Sequence, residues 1–252
     1  IDSGISGLVA VGTTGESATI DFEDHIKLIE FFIKISNGRV HIIAGTGANS
    51  TEEALHLTRE AKNLGADAAL LVSPYYNKPP QEGIYRHHAK IADEVDIPQI
   101  LYNVPSRTAS FIEPETVQRL SSHQNIMGIK DATGDMKNLS EVLKLCEENI
   151  KSKNFFLYSG DDFSFLEFLK KGGHGTISVT SNVVPEIISK ICLLVQSDFP
   201  KAKQLDDQIK NLNQSLFCES NPIPVKWALY QMGLIKNGIR LPSVSYTHLR
   251  AH

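Results

Sequence analysis

Long apolar runs and clustered cysteines are absent from this 252-residue chain, and neither sign of charge dominates it. No apolar run approaches the ~20 residues that a membrane-spanning helix needs, so no spanning segment is expected. A net charge of −4 and a pI near 6.1 give no general attraction to nucleic acid or to an anionic membrane surface. Cys146, Cys192 and Cys218 lie far apart without CxxC spacing, which argues against a metal or redox centre and for isolated thiols in a reducing compartment. The opening residues, "IDSGISG", carry neither a basic n-region nor an apolar h-region, so no signal peptide is expected there. What the chain does have is hydrophobic residues, 41% against 21% charged. That is enough to bury a large core, as one α/β barrel or as two smaller domains. A cytoplasmic role on small molecules is the resulting expectation.

Apolar runs of strand length recur: "GLVAVG" (7–12), "VHIIAG" (40–45), "ADAALLV" (66–72), "PQILYN" (98–103), "NIMGIK" (125–130), "NFFLYSG" (154–160) and "GTISVT" (175–180). Between them lie segments of helical period, such as "DFEDHIKLIEFFIKI" and "STEEALHLTREAKNLG". In the second, Ser50 and Glu53 match a capping box and Gly65 a C-cap. Apolar strands alternating with helices predict a parallel sheet covered by helices. A period of roughly 20 to 33 residues favours a (β/α)8 TIM barrel over a doubly wound sheet. Seven strands are one short of closure, and the chain opens on what reads as a helix end with a glycine stop, so the first βα unit is expected to lie outside this sequence. The barrel is then assigned to residues 1–184 and a C-terminal helical appendage to 185–242, with helices at 185–196, 199–217 and 223–233. The tail "SVSYTHLRAH" (243–252) has neither period and reads as foreign or frayed.

Barrels of this kind carry their chemistry at the C-terminal ends of the strands. Those ends hold "GTTGES", "SPYYNKPP", "YNVPSRT", Lys130, "SGDD" and "GTISVT": hydroxyls, phenols, one amine and one guanidinium, with little to suggest a metal or a phosphate grip. Lys130 ends an apolar run just before a glycine-bearing turn. As a structural lysine it would snorkel to solvent. As a catalytic amine, partial burial would disfavour its charged form and leave a nucleophile able to form a Schiff base with a carbonyl. Tyr102 ends the preceding strand, where its phenol either completes the core or shuttles protons for Lys130. In "GTTGES", Gly12 and Gly15 let backbone approach a ligand, and Thr13 and Thr14 offer hydroxyls to a carboxylate or a proton. Arg107 has the planar fork that suits a carboxylate, if it turns inward. Tyr75 and Tyr76 read either as loop aromatics or as site residues.

The motifs "GTTGES", "AGTGANST", "PYYNKPPQEG", "ILYNVPSRT", "GIKDATGD", "SGDD", "GGHGTISVTSN" and "NPIPVKWA" together closely resemble those of the dihydrodipicolinate (4-hydroxy-tetrahydrodipicolinate) synthases, a branch of the pyruvate-dependent class I aldolases. The resemblance runs from about Gly7 to Pro242. It implies that Lys130 forms an imine with pyruvate, that Tyr102 is the acid/base residue, and that Thr13 and Tyr76 complete a hydroxyl relay, Tyr76 being lent by a neighbouring subunit. It implies further that Thr14 binds the pyruvate carboxylate, that Arg107 binds L-aspartate 4-semialdehyde, and that the backbone at Gly160 and Ile177 shapes the pocket. No metal, nucleotide or flavin cofactor is implied, and the assembly implied is a homotetramer built from dimers. For L-lysine feedback the matching positions are Ser17, Ala18, His25, Asn49, Glu53 and Tyr75. Phe22 stands where lysine-sensitive relatives often have histidine, from which weaker feedback is expected, and Ala109 replaces a frequent glycine. Two alternatives stand beside this reading. One is another pyruvate aldolase, such as N-acetylneuraminate lyase or a keto-deoxy sugar acid aldolase; Arg107 argues against it, because sugar hydroxyls call for neutral partners. The other is a non-catalytic barrel that binds a keto acid.

Overall fold

The computed structural model describes residues 1–245. Residues 246–252, which hold most of the segment read as a foreign or frayed tail, lie outside the described residues. Seven parallel strands run in sequence order across one sheet: β1 (Gly7–Ala10), β2 (His41–Gly45), β3 (Ala68–Val72), β4 (Gln99–Asn103), β5 (Ile126–Asp131), β6 (Phe156–Ser159) and β7 (Gly175–Thr176). Helices α1 (Phe22–Ser36), α2 (Thr51–Leu64), α3 (Gln81–Glu94), α4 (Pro105–Thr108), α5 (Pro114–Ser121), α6 (Met136–Leu145), α7 (Glu147–Lys151) and α8 (Phe165–Lys170) occupy the crossovers. After β7 come α9 (Pro185–Leu194), α10 (Phe199–Leu216) and α11 (Ile223–Gln231).

The local signals operate as the sequence suggests. Asp21 accepts the Asp24 N–H and starts α1, and Ser50 accepts the Glu53 N–H and starts α2. Gly65, at φ +93, closes α2 by donating to the Ala61 and Lys62 carbonyls, a conformation that costs a residue with a Cβ much more.

Because side chains alternate across a strand, each one feeds two cores. In β4, Leu101 packs outward with Ile112, Leu120 and Ile129 beneath the helices. Its neighbours Ile100 and Tyr102 pack inward with Leu70 and Val104. A third cluster joins α8 to α9 and α10 through Phe165, Leu166, Ile188, Ile191 and Ile209.

The seventh strand is shorter than its residues predict. "GTISVT" is β-branched and reads as a strand over 175–180, yet pairing stops at Thr176 and a 3-10 turn occupies Thr180–Asn182. The cause is the buried Asp162 carboxylate, which accepts from the Val179 N–H, the Thr180 N–H and the Thr180 hydroxyl. Those amides are satisfied by a side chain instead of a ladder.

Candidate active site

Lys130 answers to the sheet register. Parallel pairing sets Tyr102 opposite Lys130, and Lys130 opposite Tyr158, so these side chains share the inner face of the barrel. Lys130 is 9% exposed, which removes the snorkelling alternative. Its Nζ stands 4.1 Å from the centroid of the Tyr102 ring, within reach of the ring's negative face. The next residue, Asp131, faces the other way and does not pair with it. The Asp131 carboxylate accepts from Thr133 Oγ1 at 2.9 Å and Asn138 Nδ2 at 3.0 Å, and burial pushes its carboxyl up despite those bonds. This network pins the turn that follows Lys130.

The lysine stem runs beside Gly160. A Cβ there would fall 2.8 Å from Lys130 Cε and 2.9 Å from the Ala132 Cβ, closer than real Cβ contacts. Only glycine admits the stem along this path. Gly160 N–H donates to the Asp131 carbonyl at 2.7 Å, and Ile177 N–H to the Ser159 carbonyl at 2.9 Å, which seats both backbone positions at the mouth.

Thr13 and Thr14 lie in a 3-10 turn, Thr13–Gly15, directly after β1. Glu16 follows at φ +62 and is buried. Burial works to raise its carboxyl, but hydrogen bonds from Lys226 and the Arg240 N–H, with both positive charges, outweigh it and hold the group below the usual carboxylate range. Arg107, in α4, donates from Nη2 to the Asn221 carbonyl at 3.1 Å. The Asn221 amide in turn donates to Thr14 Oγ1 at 3.0 Å. Neither Asn221 nor Glu16 is singled out by reading the sequence, although both lie inside the motifs "NPIPVKWA" and "GTTGES"; a polar residue inside a motif was the available signal.

The structure does not bring Tyr76 to this group. Its ring is 88% exposed, its φ is +73, and its N–H donates to the Thr108 carbonyl at 3.3 Å. The residues matched to lysine feedback fall elsewhere, around the start of α2. His25 Nε2 lies 2.7 Å from the Gly45 carbonyl; burial pushes its imidazole down, while the Glu53 carboxylate pulls the other way. Burial, with the charge of Glu53 added, pushes the Tyr75 phenol up against a hydrogen bond to the Asn49 backbone. Glu53 therefore acts on both. Ser17 and Ala18 occupy the adjoining 3-10 turn, Ser17–Thr19. Phe22 stacks on His56 with centroids 4.7 Å apart. Among the described residues no group of three or more His, Cys, Asp or Glu could hold a metal ion.

Parallel βα units with a buried amine at the strand-end mouth define the class, a (β/α)-barrel enzyme. The chain belongs to the dihydrodipicolinate synthetase family, whose model matches residues 1–250. It is 54% identical over 245 residues to the 4-hydroxy-tetrahydrodipicolinate synthase of Alcanivorax borkumensis, covering 97% of this chain and 82% of that one. A crystal structure of the chloride-inhibited dihydrodipicolinate synthase from Acinetobacter baumannii, complexed with pyruvate, superposes with a TM-score of 0.94 at 49% identity, over 98% of this chain and 84% of that one. The lysine-bound enzyme from Cyanidioschyzon merolae superposes with a TM-score of 0.92 at 35% identity, over 98% and 83% of the two chains.

Proposed function

We propose that this chain catalyses the 4-hydroxy-tetrahydrodipicolinate synthase reaction, with Lys130 as its nucleophile. The observation that carries the reading is the buried Lys130 amine 4.1 Å above the Tyr102 ring. The amine attacks C2 of pyruvate, and the carbinolamine loses water as Tyr102 delivers a proton to the departing hydroxyl. The imine then acts as electron sink: loss of a C3 proton gives the enamine, whose carbon attacks the aldehyde of L-aspartate 4-semialdehyde. The amino group of that substrate displaces Lys130 at C2, the ring closes, and the free amine is regenerated. No cofactor is needed for this balance of atoms.

Thr14 takes the pyruvate carboxylate, Arg107 the carboxylate of the aldehyde, and the backbone at Gly160 and Ile177 lines the pocket. Thr13 and Tyr76 complete the proton relay with Tyr102. An 88% exposed ring joins such a relay only where a second copy of the chain covers it, as in a dimer; a homotetramer built from such dimers is the assembly proposed. L-lysine binds near Glu53, whose carboxylate suits an ammonium group, with Ser17, Ala18, His25, Asn49 and Tyr75 around it. Burial raises the Cys146 thiol, and raises that of Cys192 to about 11, which leaves both unreactive; a cytoplasmic location is part of the same proposal. Reduction with borohydride in the presence of pyruvate, followed by peptide mass spectrometry, tests the nucleophile. A three-carbon adduct on Lys130 alone is expected, and an adduct on a different lysine overturns the reading.

A further inference from the structure

Asn221 lies between α10 and α11, and its side chain reaches a partner 207 residues away in sequence. It is 8% exposed. Its Nδ2 stands 3.0 Å from Thr14 Oγ1, its Oδ1 3.5 Å from the same oxygen, and its backbone carbonyl accepts from Arg107 Nη2 at 3.1 Å. One residue of the C-terminal helical region thus touches both groups to which the proposed reaction assigns a substrate carboxylate, one through its side chain and the other through its main chain. The neighbouring tie is independent of it: Glu16 pairs with Lys226 and accepts the Arg240 N–H at 2.7 Å, so the Thr13–Gly15 turn is held against this region at two points.

The polarity of the first contact matters. A threonine hydroxyl has one proton and two lone pairs. An N–H donated into a lone pair leaves the proton available, whereas a carbonyl oxygen in that position would consume it. The shorter contact is with the donor. We infer that Asn221 is a positioning residue for both substrates. Its amide fixes Thr14 Oγ1 as an acceptor so that the hydroxyl proton is presented to the keto-acid carboxylate, and its carbonyl separately seats the Arg107 fork for the carboxylate of the aldehyde. The inference rests on the roles given above to Thr14 and Arg107.

Side-chain substitutions separate the two contacts, because none of them removes the carbonyl. In the full chain, Asn221→Ala raises KM for pyruvate by about 3- to 10-fold, the worth of one neutral hydrogen bond, with KM for L-aspartate 4-semialdehyde unchanged. Asn221→Asp keeps the shape but places an acceptor and a charge against Thr14, raising KM for pyruvate roughly 30-fold or more. In a Thr14→Val background neither substitution adds a further effect. The pyruvate dependence of borohydride trapping on Lys130 reads the same contact without turnover, and thermal melting reports folding. Parallel rises in both KM values, a smaller effect of Asp than of Ala, or an Asn221→Ala effect that persists with Thr14→Val each overturn the inference. Wild type that traps no pyruvate on Lys130 overturns the underlying reading. Wild type that traps normally, with Asn221→Ala trapping at the same pyruvate dependence, overturns the positioning role alone.

Discussion

Tyr102 and Tyr76 both carry a phenol and both enter the proposed proton relay, yet one is 7% and the other 88% exposed. Tyr102 sits in the middle of a ladder, paired to Val72 on one side and Lys130 on the other, so its direction follows from the pleat. Tyr76 sits in the loop after β3, where it and Lys78 both hold positive φ. Such a conformation costs a non-glycine residue roughly 1–2 kcal/mol, so its surroundings must hold it there. Within one chain those surroundings are a bond to the Thr108 carbonyl, the Asn77 N–H to the Tyr75 carbonyl, and Asn77 Nδ2 to the Asn49 carbonyl. The comparison teaches that the strand-borne phenol is fixed and buried by its own ladder, while the loop-borne phenol is held by a few loop hydrogen bonds and left exposed in a single chain.

The largest effect is expected where the strand-borne half is tightest. Gly160→Ala drives a methyl group into the path of Lys130 Cε and should abolish borohydride trapping of pyruvate, with an overpacking cost of about 1–3 kcal/mol in a urea melt. Trapping at the wild-type rate would show that the stem has another path.

Tyr102→Phe keeps the ring under Lys130 but removes its proton, and should lower kcat by about 10²- to 10⁴-fold. Tyr76→Phe keeps the ring that a second copy would cover and removes only its hydroxyl, so kcat should fall while the melting temperature moves little. Mixing Tyr76→Phe chains with Lys130→Ala chains should then recover activity, because the mixed assembly contains sites with both groups intact. Without recovery, the phenol does not act between chains, and the two tyrosines no longer differ in this way.

A third, smaller effect belongs to the helices beneath the loop-borne half. His87 Nδ1 lies 2.9 Å from Thr51 Oγ1, linking α3 to α2, and its ring meets His88 edge-to-face at 4.9 Å. Burial lowers the His87 imidazole to about 4, and lowers that of His88 well below its ordinary value, with His87 adding to the effect. Both are depressed on folding, so the unfolded chain takes up protons first as pH falls. Stability is therefore fully present above about pH 6.5 and is lost toward pH 4, by about 3 kcal/mol for His87 alone. Hydrogen exchange at pH 7 and pH 5 should show α2 and α3 losing protection before β4 and β5, and His87→Gln should flatten the pH slope. Uniform loss along the chain would erase the distinction.

The smallest effect concerns Glu53. Glu53→Ala should weaken lysine binding by about 10-fold, one charge-assisted contact, in a calorimetric titration, while leaving pyruvate trapping intact. Equal lysine affinity in mutant and wild type would remove the site from the loop-borne half.

The legible features were those carried by local chemistry. Ser50, Glu53 and Gly65 announce the two ends of α2, and the repeating apolar runs announce seven strands in order. Lys130 and Tyr102 were readable as a pair because each ends a run, and parallel neighbours of one sheet bring such ends together. The strand expected over 175–180 failed because Asp162, more than a dozen residues earlier, captures the Val179 and Thr180 amides, and a β-branched composition carries no trace of a distant acceptor. Asn221 escaped notice for a related reason. Its two partners lie 207 and 114 residues away, so its place inside the motif "NPIPVKWA" marks a polar residue but says nothing of what it bridges.

What the sequence by itself determined is the parallel βα order, the helix caps, and the set of hydroxyls, phenols, amine and guanidinium at the strand ends, because periodicity and capping act over a few residues. What only the tertiary structure decided is which of those groups meet. Register sets Lys130 over Tyr102, the missing Cβ of Gly160 opens a path for the lysine stem, and Asn221 crosses from the C-terminal helical region to join Thr14 with Arg107. These are contacts between distant segments, set by packing and by the need to satisfy every buried donor and acceptor.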